Sequence, residues 1–222
     1  AFRLKRDVLD KGPVDLFFVE FAVNDDQDAG HARRECIRGM EGIVRQIRRH
    51  NPRADIVITH FVNPGMLKTI QEGRTPLTVA AHEAVAERYQ VSTLYLAREV
   101  ADRIKVGTLT WAKFGGTHPK PFGNAIAASL IERLLTAAWT ASPTVDGPKS
   151  HPAPEKPVDP LNYGQGRFLA PKTVTFVKDW ERRVPDWKKL PGGKRSQFTS
   201  IPMYVATNPG AELSLSFEGT AV

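Results

Sequence analysis

The sequence predicts a three-layer α/β fold over residues 1–140, then a Pro-rich connector (141–160) and the start of a β-rich C-terminal domain (161–222). Three observations carry this reading. Val14–Phe21 and Ala54–Val62 are nearly continuous apolar runs of strand length, as expected of parallel strands covered on both faces. Around them lie segments with apolar residues at helical spacing, so strands and helices alternate along the chain. Beyond Ala141 the texture changes. Six prolines fall between Pro143 and Pro160, and the residues that follow alternate with the two-residue period of strands.

The elements follow in order. Phe2–Lys11 reads as the tail of a helix, and Val14–Phe21 as the first strand. That strand leads abruptly into Asn24-Asp25, followed by the polar Asp26, Gln27 and Asp28. In open α/β sheets the ligand crevice lies beyond the carboxyl ends of the strands, where this pair would stand. The same pair also suits a cap for the next helix. The helix expected over His31–His50 sets Cys36, Ile37, Met40, Ile43, Val44 and Ile47 against Arg33, Arg34, Arg38, Arg45, Arg48 and Arg49. This is an amphipathic covering helix whose arginines are expected to face solvent. Asn51-Pro52 ends it. The second strand, Ala54–Val62, carries His60 near its end, expected to be a structural histidine. Met66–Gln71 suits a short helix or lid.

Thr75-Pro76 opens a helix to Gln90, with Leu77, Ala81, Val85, Ala86 and Tyr89 on its apolar side and His82 expected to be exposed. A short strand (Val91–Tyr95), a helix to Val106 and a last helix (Pro121–Trp139) complete the α/β part. In the C-terminal part, strands are expected at Arg167–Ala170, Thr173–Val177, Ile201–Thr207 and Glu212–Glu218. The last of these should turn Leu213, Leu215 and Phe217 inward. Trp180 and Trp187 are expected to serve packing.

Composition narrows the function classes. Of 222 residues 41% are hydrophobic and 25% charged, ordinary values for a globular chain. No apolar run reaches the roughly 18 residues of a membrane span. The net charge of +7 raises the question of nucleic acid, but no helix-turn-helix, zinc-finger or stacking motif accompanies the arginines. A nucleic-acid partner is therefore not expected. The single cysteine, Cys36, excludes an internal disulfide and lacks metal-ligand spacing. Neither a metal site nor a phosphate-binding glycine loop is evident, and no cofactor is expected.

A second segment bears on chemistry. Gly115-Gly116-Thr117-His118-Pro119 precedes Pro121-Phe122-Gly123-Asn124 and the last helix, so His118 sits on a Pro-stiffened loop at a helix entrance. An imidazole held there suits a general base. Together the two segments resemble two of the four sequence blocks of the SGNH (GDSL-type) esterase and acylhydrolase superfamily. One block, Gly-x-Asn-Asp, appears here as Ala22-Val23-Asn24-Asp25. The other, Asp-x-x-His-Pro, appears as Gly115-Gly116-Thr117-His118-Pro119.

The resemblance implies a flavodoxin-like parallel sheet, with His118 as catalytic base and Asn24 as oxyanion donor. It also implies a β-sandwich-like appendage, seen after some bacterial members. Asp25, Gly115, Gly116 and Thr117 are expected to be structural neighbours of the site. Two departures accompany the likeness: Gly115 stands where the family has the acid that orients the histidine, and no Gly-Asp-Ser nucleophile motif is present. The chain begins Ala1-Phe2 without an initiator Met and reaches the Asn strand within 14 residues. It is expected to be a piece of a longer protein that supplies the serine, and to be inactive alone.

The implied reaction is cleavage of a small acyl ester, with acetyl on carbohydrate as the leading substrate. A non-catalytic carbohydrate-binding or structural relative and a doubly wound ligand-binding domain remain as alternatives. The resemblance favours a secreted or periplasmic location. Replacing Gly115 with Asp should raise activity if nothing else orients His118.

Overall fold

Each strand is shorter than the apolar run that contains it. In the computed structural model, which describes residues 1–27, 30–141, 147–169 and 171–219, strand β1 spans Leu16–Val19, β2 Asp55–Thr59 and β3 Ser92–Leu94. They form one parallel sheet in the order β1-β2-β3, with Leu16 opposite Asp55 and Val57 opposite Ser92. Parallel neighbours require crossovers. Helix α3 (Arg33–His50) joins β1 to β2, and α4 (Pro64–Gln71) and α5 (Leu77–Tyr89) join β2 to β3. The remaining helices are α1 (Leu4–Asp7), α2 (Ala22–Gln27), α6 (Leu96–Lys105), α7 (Trp111–Phe114) and α8 (Pro121–Thr140).

Alternation along the strands divides the core in two. Phe17, Val19, Ile56 and Ile58 pack with the apolar faces of α3 and α5. On the other face Val57 and Leu94 pack with α4, α6 and the start of α8. The expected α/β layering is therefore present. Full burial of residues such as Ile58, Val44 and Ile47 contributes about 1.5–3 kcal/mol each. The outer edge of β1 is unpaired among the described residues, and Phe18 beside it is 40% exposed.

The arginine stripe of α3 does not simply face solvent, as its amphipathic pattern suggests. Arg38 pairs with Asp159 at 3.0 Å. Arg45 donates to Tyr89 Oη at 2.8 Å and to the Pro154 carbonyl at 3.0 Å. Arg49 reaches the Gly164 carbonyl at 2.9 Å, and Arg48, only 5% exposed, donates to the Ala54 carbonyl. Pro154, Asp159 and Gly164 among these partners belong to the segment 154–164, which lies along α3 as a strap.

Buried Glu41 anchors that strap, accepting from the N–H groups of Val158 at 2.6 Å and Asp159 at 2.8 Å, and from Tyr89 Oη at 2.6 Å. Burial, and secondarily the bond to Glu41, pushes the Tyr89 pKa up to about 12, so the phenol remains a donor. Gly42 is required here, since a Cβ would sit 2.6 Å from the Tyr163 backbone carbon. Periodicity identified the buried face of α3 correctly. It could not reveal a covering segment more than a hundred residues away.

The chain divides into two compact units, Ala1–Arg167 and Phe168–Val222. Within the second, β4 (Val174–Lys178) pairs antiparallel with β7 (Glu212–Leu215), and β5 (Trp180–Arg183) with β6 (Met203–Ala206). These are two separate two-stranded ladders, and a β-sandwich is not seen among the described residues. Phe176 bridges the ladders, stacking on Tyr204 at 4.1 Å and meeting Trp180 at 5.6 Å, so Trp180 does serve packing.

Residues 167–169 form no strand, and Ala170 lies outside the described residues. Strand β5 is unanticipated because Glu181, Arg182 and Arg183 have little strand propensity. Its register follows from the turn at Asp179, whose φ is +59° and whose carbonyl accepts from Thr207 N–H at 2.9 Å. Leu213 and Phe217 are exposed rather than inward. Leu213 lies on a two-stranded ladder, which by itself offers little second face to bury against, and Phe217 lies beyond the end of β7. Among the described residues no helix is long and apolar enough to cross a membrane.

Candidate active site

At Val19 the first run leaves the sheet, and its last apolar residues, Ala22 and Val23, become the buried first turn of α2. Asn24 thus projects from a short helix at the carboxyl end of β1 rather than from the strand itself. Glu20 holds the turn, accepting from the Val23 N–H at 3.2 Å. Asp25 points away from the cleft toward α5, where His82 Nε2 lies 3.0 Å from its carboxylate. Asp26 accepts from Asn63 Nδ2 at 2.8 Å, while Asn63 Oδ1 caps α4 through the Met66 N–H at 2.9 Å. The helix bearing Asn24 is therefore tied to two neighbouring elements.

His82 is wholly buried, contrary to the expected exposure. Both α3 and α2 pack on α5, so its buried sector is wider than one apolar stripe. Its ring stacks 6.2 Å from that of His60. His60 is also buried, with Nε2 2.6 Å from Glu83 and Tyr95 edge-on at 5.5 Å. The bond to His60 is the main cause that lowers the Glu83 pKa. The Nδ1 atoms of both histidines lack partners among the described residues. Burial, followed by the Asp25 charge, raises the Cys36 thiol to about 11, which suits a packing residue rather than a nucleophile.

His118 is carried by the loop between α7 and α8. Gly115 ends α7 in the left-handed region, with φ at +106°, and Gly116 follows at +93°. The Lys120 N–H returns to the Phe114 carbonyl at 3.3 Å, and Asn124 Nδ2 donates to the Pro119 carbonyl at 3.2 Å. Pro121 then starts α8 at a position that needs no N–H. The loop is thus pinned at both ends. A Cβ on Gly115 would lie 2.3 Å from the Lys120 backbone nitrogen.

Restoring the family's acid here therefore carries a backbone penalty of its own. Gly115→Asp is expected to destabilise the protein by at least about 2 kcal/mol, read as a fall of roughly 5 °C or more in melting temperature. An unchanged melting temperature would refute this account of the loop.

The two motifs meet in one cleft of about 290 Å³, lined by Glu20, Val23, Asn24, Gln27, Phe61, Thr117, His118 and Pro119. Asn24, His118 and Thr117 thus share a wall-to-wall space at the carboxyl ends of the strands, while Asp25, Gly115 and Gly116 support it from outside the lining. Sequence reasoning missed Glu20 and Gln27. For Glu20 a signal existed, because it is a lone carboxylate near the end of a run whose other late residues are apolar. Burial raises its pKa, opposed by the N–H groups of Val23, Phe61 and Ala22 and by the charge of His60. No group of three or more His, Cys, Asp or Glu placed to hold a metal ion occurs among the described residues.

A parallel α/β sheet thus carries a side-chain amide and an imidazole that line one cleft beyond its strand ends. The chain belongs to the GDSL-like lipase/acylhydrolase family, whose model matches residues 2–126. No curated protein matches it. Among solved structures it is similar to a two-domain esterase (CEX) active on acetylated mannans, at 21% identity and a TM-score of 0.67, covering 98% of this chain and 53% of that one. The same esterase co-crystallized with mannopentaose matches at 20% identity and a TM-score of 0.69, covering 98% and 52%. The chain thus spans about half the length of the solved structures it matches.

Proposed function

We propose that this chain forms part of a serine esterase that removes small acyl groups, acetyl foremost, from a carbohydrate. The observation that carries the proposal is the meeting of Asn24 and His118, 94 positions apart in the sequence, in one small cleft. In the proposed reaction a serine outside this chain attacks the ester carbonyl while His118 takes its proton. Asn24 Nδ2 donates to the developing oxyanion. The proton then passes from His118 to the leaving sugar oxygen, and water repeats the sequence to free the acid and regenerate the serine. Asp25, turned toward buried His82, braces the helix that presents Asn24.

Acetyl suits the limited cleft volume, and the activity of the similar CEX esterase on acetylated mannans supports a glycan as the acyl carrier. We read the second compact unit, Phe168–Val222, as part of an appended β-rich domain. Gly115 in place of the usual acid also favours a second reading, a carbohydrate-binding relative that has lost catalysis. One experiment separates the two. The full-length protein, incubated with acetylated mannan, should release acetate with saturation kinetics. Binding of the mannan without acetate release would establish the second reading and exclude the first.

A further inference from the structure

The acid that Gly115 cannot supply has a candidate on another element. Building on the esterase reading, we propose that Glu20 is the positioning carboxylate for His118. It accepts a hydrogen bond from the His118 Nδ1–H and so fixes the tautomer that leaves Nε2 free to take the serine proton.

Three observations lead here. Gly115 has a left-handed backbone and no space for a side chain, so an acid at the family's position is excluded by the loop itself. Among the residues that line the cleft, Glu20 is the one carboxylate. The nearby acids Asp25 and Asp26 are engaged elsewhere, with His82 and Asn63. Gln27 and Thr117 also line the cleft, but a neutral amide or hydroxyl cannot stabilise an imidazolium as a carboxylate does.

The setting of Glu20 suits this task. It follows β1 directly, next to the rigid sheet, and the Val23 N–H fixes one carboxylate oxygen at 3.2 Å. Glu20 is half-buried, and its carboxyl pKa is raised chiefly by that burial. A carboxylate in this condition gains from a nearby positive charge. His60 behind it is already engaged by Glu83 at 2.6 Å, whereas the imidazole of His118 has no hydrogen-bond partner among the described residues and opens on the same cleft. When His118 takes the serine proton it becomes a cation opening on the same cleft as Glu20. Glu20 stays ionised throughout, and the proton moves only between serine, His118 and the leaving oxygen. Such bonds are often long in unliganded sites and tighten when substrate binds.

The test uses Glu20→Gln in the full-length protein. Gln keeps the side-chain length and an oxygen to accept the Val23 N–H, and removes only the charge. Expected is a fall in kcat of roughly 10²- to 10⁴-fold for acetate release, with KM within about threefold and an essentially unchanged melting temperature. Glu20→Asp, which restores the charge, should recover at least about tenfold over Gln. In a His118→Ala background Glu20→Gln should cost nothing further, because the residue acts only through the imidazole.

A Glu20→Gln protein with kcat within threefold of wild type overturns the proposal. So does a loss that adds fully to that of His118→Ala. Equal losses of stability and activity in the Gln and Asp variants would assign Glu20 to capping α2 and overturn it likewise. Absence of acetate release by the wild-type protein, or full activity of His118→Ala, would instead sink the esterase reading on which the proposal rests. Those outcomes are seen before any Glu20 variant is measured.

Discussion

His118→Ala in the full-length protein is expected to lower kcat by on the order of 10⁴- to 10⁶-fold, the scale seen when the base of a nucleophile–base pair is removed. Without the imidazole the serine hydroxyl must lose its proton to water, and the leaving oxygen has no acid to protonate it. The substrate still meets the other walls of the cleft, so KM should change little. Asn24→Ala should cost less, roughly 10²- to 10³-fold in kcat, because one oxyanion donor is lost while the nucleophile stays activated. It too should spare KM, since that hydrogen bond strengthens only as the carbonyl oxygen becomes charged. Steady-state kinetics on the best ester substrate measure both. Near-normal kcat in both variants would remove His118 and Asn24 from the mechanism.

The second large effect concerns stability. Glu41→Ala strips three hydrogen bonds from a fully buried position and leaves the N–H groups of Val158 and Asp159 and the hydroxyl of Tyr89 without their acceptor. Each stranded buried group costs about 1–3 kcal/mol. Some of that cost is avoided if the strap peels away from α3 into water. A net loss of about 3–5 kcal/mol is expected, seen as a fall of roughly 6–20 °C in melting temperature for a chain of this size.

Glu41→Gln keeps one acceptor oxygen and should lose about a third to a half as much. Release of the strap also has a local signature. Glu-C protease should cut after Glu155 far faster in Glu41→Ala than in the wild-type chain, because the neighbouring Lys156, whose carbonyl accepts from Arg88 at 2.7 Å and 3.0 Å, loses its fixed surroundings. Unchanged melting and unchanged cleavage would show that Glu41 does not hold the strap.

The sequence by itself determined the parts whose causes are local. Continuous apolar runs at residues 14–21 and 54–62 dictate strands covered on both faces, and helical spacing of Met40, Val44 and Ile47 dictates which face of α3 is buried. These follow from the periods of strand and helix, which need no knowledge of the rest of the chain. Asn24 and His118 were singled out as candidates by the resemblance of their two short motifs, taken together, to blocks of one family.

Only the tertiary structure decided what depends on distant partners. The wide burial of α5, and with it the place of His82, results from two helices packing on it. The arginines of α3 bind a strap whose residues lie up to about 120 positions away, so no local pattern distinguishes them from a solvated face. Strand β5 owes its existence to a ladder with β6 rather than to its own charged residues. Glu20 was visible as an odd carboxylate near the end of an apolar run. Its company, Asn24 and His118 around one cleft, exists only once the sheet brings the end of β1 beside the loop before α8. Backbone periodicity is set within a few residues, whereas the pairing of buried polar groups is set by which segments the packed core brings together.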